Sequence, residues 1–289
     1  MTPDERPADG VHAMVPREDM IPVARKIRDY YDRVPGAPLY QTEFGYYCME
    51  RWREQGLDPE ADLAELFGYD PPARRGLGGL GWVTAGFYPS FEEKVVEDRG
   101  DYEVVQDHAG RHKLCFKGRR NGFMPEYLEH PVKDMATWEE ACKWRMDPET
   151  PGRLEEAEEN ARDAVADARQ GKVIVQRLVG GYMYLRSLIG PEDLLYAFYD
   201  MPEVIHDCME TWANLADRLI AVHQKHVTLD EIFFGEDICY NHGPLISPDM
   251  MREFLFPYYR RVIENAKKRQ IDQDRHLFVD IDSDGYVNP

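Results

Sequence analysis

No apolar run in this sequence approaches the ~20 residues that cross a bilayer, and the opening M-T-P-D-E-R-P-A-D-G has none of the character of a signal peptide. A cytoplasmic protein is expected. Cysteine is sparse and unpaired in pattern: Cys48, Cys115, Cys142, Cys208 and Cys239 are odd in number, scattered, and form no C-x-x-C. Reduced thiols that serve packing are expected, and Cys239 alone lies where a ligand contact is also open. Basic charge is short as well. A net charge of -19 argues against general binding of nucleic acid or anionic membrane, both of which need a positive surface. A P-loop is missing too, because R-R-G-L-G-G-L-G-W (74–82) lacks the Lys-Ser/Thr that holds phosphate; Arg74 to Gly86 reads as a flexible loop.

The informative stretch is Asp230 to Tyr259. An apolar run, Ile232 to Phe234, ends in the adjacent acids Glu236 and Asp237, and a Gly-Pro turn and a Ser-Pro helix start follow. Ser247 suits an N-cap, Pro248 the first helical position and Asp249 the positive helix end. One helix is expected from Asp249 to Lys267. The next apolar run, His276 to Asp282, ends in Asp280, Asp282 and Asp284. Two successive strands thus finish in acids, at the end where α/β barrels gather their chemistry. Shared burial would raise some of these pKa values and yield a proton donor with an acceptor, or a hard-cation site. Glu236, Asp237, Asp282 and Asp284 are the candidate catalytic acids. Two of them have a plainer reading, Asp237 as a loop cap and Asp284 before Gly285 as a turn former, and Asp282 is the strongest functional candidate. Glu43, Tyr182, Arg186, Tyr240 and His242 are candidate substrate contacts, and Glu43 could instead pair with a buried arginine. No spacing fixes metal ligands.

Elsewhere, residues 1–20 read as a loose polar arm and 21–289 as one domain. Helices are expected at Met20–Asp32, Tyr47–Gln55, Pro59–Phe67, Thr137–Arg145, Gly152–Gln170, Pro191–Asp200 and Pro202–Val227. Strands are expected at Leu39–Phe44 and Val173–Leu178, with Arg186 on the loop after the second. Residues 102–118 alternate around D-H-A-G as an antiparallel hairpin. Apolar runs alternating with helices to the end give a parallel α/β sheet.

Several segments, in order, resemble the uroporphyrinogen decarboxylase superfamily, above all its branch of cobalamin-linked methyltransferases. They are M-E-R-W-R-E-Q-G-L (49–57), Y-P-S-F-E-E-K-V (88–95), H-P-V-K-D-M-A-T-W-E-E (130–140), L-R-S-L-I-G-P-E-D-L-L-Y-A-F-Y-D-M-P-E (185–203), G-E-D-I-C-Y-N-H-G-P-L-I-S-P (235–248), F-P-Y-Y (256–259) and V-D-I-D-S-D-G (279–285). The resemblance implies a (β/α)8 TIM-type barrel with the hairpin as an excursion. It implies a methyltransferase-like enzyme moving a methyl group between a small substrate and a corrinoid, with cobalamin supplied through a corrinoid protein, or a divalent metal, as cofactor. Two departures matter. The decarboxylase signature Trp-x-Met-Arg-Gln-Ala-Gly-Arg-Tyr is replaced by L-Y-Q-T-E-F-G-Y-Y-C-M-E (39–50), which makes decarboxylation of a tetrapyrrole in porphyrin biosynthesis the alternative. The zinc pattern His-x-Cys with a later Cys is replaced by H-L-F-V-D-I-D-S-D-G (276–285), which leaves a non-catalytic binding descendant as a third reading. Family members continue past D-S-D-G with further βα units, so the barrel is expected to be truncated before its last units, its open edge covered by a partner or a second copy.

Overall fold

The computed structural model describes Glu18 and residues 20–42, 48–118 and 125–287. The arm expected over 1–20 lies outside these, apart from Glu18 and Met20, and Met20 is buried.

In chain order the first elements are α1 (Pro22–Tyr31), α2 (Met49–Glu54), α3 (Leu63–Phe67) and β1 (Arg74–Leu77). Then come β2 (Lys94–Arg99), β3 (Tyr102–Gln106), β4 (His112–Phe116) and β5 (Glu126–Glu129), which form an antiparallel sheet in that order. This contains the hairpin read from the sequence. A short α4 (Met135–Thr137) runs on through a π turn (Trp138–Cys142) and a 3-10 turn (Lys143–Met146) into α5 (Arg153–Arg169) and β6 (Val173–Val179). Three helices follow, α6 (Gly181–Ile189), α7 (Asp193–Asp200) and α8 (Pro202–His223), and then β7 (Glu231–Gly235). A ribbon of β8 (Cys239–Tyr240) and β9 (Gly243–Pro244) leads to α9 (Pro248–Phe254), α10 (Phe256–Arg269) and β10 (Phe278–Asp282).

The central sheet is parallel, in the order β1-β6-β7-β10. Strands that pair in chain order with helical crossovers make an arc of the barrel kind, so the sheet is consistent with a partial α/β barrel. Period-two alternation divides its faces. On the outer face Ile174 and Leu178 of β6 and Ile232 and Phe234 of β7 join the main core, beneath side chains such as Leu188, Trp212 and Val262 of the surrounding helices. On the inner face Val173 and Val175 pack on Met20, Val23, Ala24 and Ile27 of α1 and its approach, with Phe233 and Phe278 against them. The amphipathic helix α1 therefore seals the end of the inner face where the strands begin. Outer residues Val279 and Ile281 of β10 are exposed. No helix among the described residues is long and apolar enough to cross a membrane.

Four expectations need correction. The segment expected as a flexible loop at Arg74 holds β1, because Arg74–Leu77 pairs with Val173–Gln176 and Leu77 is buried; two arginines in a four-residue edge strand hide the apolar signal. The strand expected at Leu39–Phe44 is absent over 39–42, where the Gln41 backbone bonds to Asp70 instead; the rest lies outside the described residues. The helix expected from Asp249 to Lys267 breaks at Leu255, since Pro257 has no N–H to continue the ladder. Arg186 stands in α6, not on a loop.

Asp230 fixes the start of the sheet. Its side chain is fully buried, one oxygen accepting from the Ile174 N–H at 2.8 Å and the other from Arg275 Nη1 at 3.0 Å, while its carbonyl accepts from the Phe278 N–H at 2.9 Å. One side chain thus ties β6, β7 and the approach to β10. Removing it takes the main partner from a largely buried guanidinium and strands a backbone donor, a change that costs about 3–5 kcal/mol for a buried pair. Asp230→Ala is expected to lower the urea unfolding free energy by about that amount, read from the shift of the unfolding midpoint at unchanged slope.

Candidate functional site

The strand ends of β6, β7 and β10 meet at one rim, and Glu236 organises it. Its carboxylate is buried, yet it lies against the N-terminus of α6. There Oε1 accepts from the Tyr182 N–H at 2.9 Å, with the Met183 N–H also bonded, and Oε2 accepts from the Tyr259 hydroxyl at 2.7 Å. That hydroxyl accepts in turn from the Gly181 N–H at 2.5 Å. A helix N-terminus presents unpaired donors and positive potential, so a carboxylate from the next strand caps it as a side chain at the N-cap would. Close approach requires bare backbone: a Cβ on Gly180 would stand 1.5 Å from Glu236 Oε2. The backbone continues the link, since Gly180 N–H donates to Gly235 carbonyl and Glu236 N–H to Asp282 carbonyl, each at 2.7 Å. Burial pushes the Glu236 carboxyl from 4.5 up to about 7, against the lowering by Tyr259 and the backbone donors. Both oxygens of this group thus accept hydrogen bonds from within the fold.

The exposed acids stand in front of it. Asp237 is 3.3 Å from Arg186 Nη2, both side chains being partly exposed. A pair so wetted contributes ~0–1 kcal/mol, so its effect is on orientation more than stability. Asp282 ends β10 with its carboxyl held above the usual range, first by lost hydration and then by repulsion from Asp284, Asp237 and Asp280. Asp284 is exposed beside Gly285, whose positive φ and contact with the Tyr240 backbone turn the chain back so that the Tyr286 N–H bonds to the Tyr240 carbonyl. Tyr240 is exposed on β8, edge-on to His242 at 5.7 Å. Tyr182 is fully buried, its hydroxyl unpaired among the described residues and its pKa pushed up to about 12 by burial. It belongs to the packing behind the rim. Glu43 lies outside the described residues.

Sequence reasoning missed the inner face. Glu231 is fully buried with Arg74 Nη2 3.3 Å away, and burial raises its pKa against that arginine. Arg177 of β6 and Trp82, from the loop after β1, lie above it. The signal was a charged residue inside the apolar V-I-V-Q-R-L-V (173–179), the same kind of break that drew attention to Glu43. Tyr259 lies in F-P-Y-Y, but only the fold brings it to Glu236. For a metal, no cluster of three His, Cys, Asp or Glu side chains able to hold one exists among the described residues. Among the described residues, therefore, neither the zinc-thiolate nor the hard-cation arrangement has a donor set.

No family model matches the chain, and no curated protein matches it in sequence. Among solved structures, a methyltransferase from Methanosarcina mazei is similar with a TM-score of 0.40 and 14% identity, over 55% of this chain and 44% of that one. The chain spans less than half the length of that structure, and a likeness of this degree says nothing of activity.

The anchor has two consequences for stability. Gly180→Ala is expected to lower the unfolding free energy by about 2 kcal/mol or more, within the range of overpacking plus a lost cap, measured by urea denaturation. Glu236 has a higher pKa folded than unfolded, so the folded state binds its proton more tightly. Its ionisation subtracts stability as pH rises from about 4.5 to about 7, by about 3 kcal/mol in all. His130 and His223, pushed down to about 4 by burial, slope the opposite way in that window. The difference between the protein and Glu236→Gln cancels them: the variant should gain relative stability steadily from pH 4.5 to 7, as followed by thermal melts.

Proposed function

We propose that the chain is a methyl-transfer enzyme of the cytoplasm, acting on a small polar molecule at this rim with Asp282 as its proton carrier. The observation that carries the reading is the grouping of Asp282, Asp237 and Asp284 at the ends of β7 and β10, with Arg186 on Asp237. An ether, thioether or neutral amine that loses a methyl group takes up a proton, the basic amine left by a quaternary ammonium is protonated once it is free, and an O–H, S–H or N–H that gains a methyl releases its proton. A carboxyl held above its ordinary pKa by lost hydration and by neighbouring carboxylates suits either direction. Asp237, paired with Arg186, stands beside it, so the two acids differ in role by environment. Glu236 is a positioning residue: it fixes the start of α6, and Arg186 follows one turn later. Tyr240 and His242 edge the opening and would contact the bound molecule.

The resemblance to the uroporphyrinogen decarboxylase superfamily supplies the methyl chemistry, with a corrinoid-borne methyl group, delivered by a corrinoid protein, as second substrate. No step is assigned to a metal. Binding of the purified chain to methylcobalamin and to a porphyrinogen, side by side and with bound metal quantified, tests the reading. Corrinoid binding supports it; porphyrinogen binding alone would favour decarboxylation, and binding of neither would favour a non-catalytic scaffold. In an enzyme Asp282→Asn should cut turnover by about 10²–10⁴-fold with the melting temperature unchanged. A scaffold should tolerate the substitution or gain stability from it.

A further inference from the structure

We propose that the inner face of the sheet holds a small zwitterion, an α-ammonium carboxylate, with its carboxylate on Arg177, its body on the Trp82 ring and its cationic end toward Asp280. The inference rests on the methyl-transfer reading and names the substrate class of that site.

Register places the three positions. Arg177 of β6 lies opposite Phe233 of β7, and Phe233 opposite Asp280 of β10. Residues paired in this way on adjacent parallel strands point to one face, so the row reads cation, aromatic, anion. Trp82 lies flat over Phe233, ring centroids 5.2 Å apart and planes within 1°, and the Arg177 guanidinium is 5.6 Å from the Trp82 ring. Two glycines permit this layering. A Cβ on Gly76 would stand 3.0 Å from Arg177 Nε, and one on Gly235 3.0 Å from the Trp82 carbonyl.

The charges of this row are poorly served from within. Arg74 has Glu231 at 3.3 Å and Arg275 has Asp230 at 3.0 Å. Arg177 makes no ion pair or side-chain hydrogen bond among the described residues; its guanidinium faces the Trp82 ring, its side chain runs past Gly76, and the charge of Glu231 acts on it. Asp280 receives one long bond, from the Tyr31 hydroxyl at 3.4 Å. A guanidinium matches a carboxylate fork to fork, and an aromatic face beside carboxylates is how proteins receive quaternary ammonium groups. Asp282, two residues along on the same face, adds a second carboxylate toward the opening.

The spacing sets the ligand's length. Two strand spacings separate β6 from β10, about 9.6 Å. An α-ammonium carboxylate measures about 2.5 Å from nitrogen to carboxyl carbon; a hydrogen bond at the carboxylate end adds about 3 Å, and the methyl groups of a quaternary nitrogen hold it about 4 Å from a carboxylate oxygen. The total, about 9.5 Å, matches the two strand spacings; a bare cation or a bare carboxylate would leave one end unpaired.

Glycine betaine is the probe, titrated calorimetrically against choline, which lacks the carboxylate, and 3,3-dimethylbutyrate, which lacks the charge on the trimethyl head. Betaine should bind at least tenfold more tightly than either. Arg177→Met and Asp280→Asn should each weaken betaine at least tenfold while leaving the melting temperature within a few degrees. Equal affinity for the three probes, absence of betaine binding, or undiminished binding by a folded Arg177→Met would overturn the proposal. The comparison of probes needs no variant, so a misfolded substitution does not blunt it. Corrinoid binding without betaine binding would sink this inference alone, whereas betaine binding without methyl transfer would sink the reaction and keep the site.

Discussion

Everything at the rim depends on the carboxylate of Glu236 lodged against the first turn of α6. A buried acid loses hydration that only several strong hydrogen bonds can offset. Here two backbone donors and the Tyr259 hydroxyl supply them, while the raised pKa shows that burial still outweighs them. The result is a junction of β7, α6 and α10 built around one side chain. It sets the direction in which α6 leaves the sheet, and so where Arg186 meets Asp237. Because the Glu236 N–H donates to the Asp282 carbonyl, the same junction sets the level of the acids at the end of β10.

The sheet divides labour between its faces. The outer face is plain apolar packing, which gives rigidity and no chemistry. The inner face begins apolar on α1 and becomes charged toward the strand ends, through Arg74 with Glu231 and then Arg177, Asp280 and Asp282. Such a gradient is what a barrel-type site needs, a packed floor beneath a polar mouth. Buried charge is expensive, and pairs such as Arg74 with Glu231 return little net stability. Their presence in an otherwise apolar arc orients neighbouring side chains more than it adds stability.

Much of this was legible in the sequence, for physical reasons that differ by element. The strands at Val173 and Glu231 are buried on their outer face by a solid apolar run, and the long α5 and α8 repeat their apolar positions over several turns. The hairpin announces itself by a turn between alternating residues. β1 was illegible because an edge strand of R-R-G-L carries charge where pattern expects apolar side chains. The break at Leu255 was written in Pro257 but overridden by the amphipathic pattern on either side. Among the acids, position at strand ends was readable and role was not. Nothing in G-E-D says that the first acid turns inward to cap a helix fifty residues earlier while the second stays in solvent. That depends on Gly180 and Gly181, whose lack of side chains gains meaning only once α6 is packed against β7.

A direct measurement of the Glu236 carboxyl is therefore decisive for the account. With glutamate labelled at the side-chain carboxyl carbon, and Glu236→Gln used to assign its resonance, the 13C shift can be followed by NMR from pH 3 to 9 (about the range carboxyls occupy in folded proteins). The account predicts a midpoint near 7, with the resonance insensitive to bound ligand because the group faces the helix. A midpoint at the ordinary 4.5, or a large displacement on ligand binding, would contradict it and return Glu236 to the candidate catalytic acids.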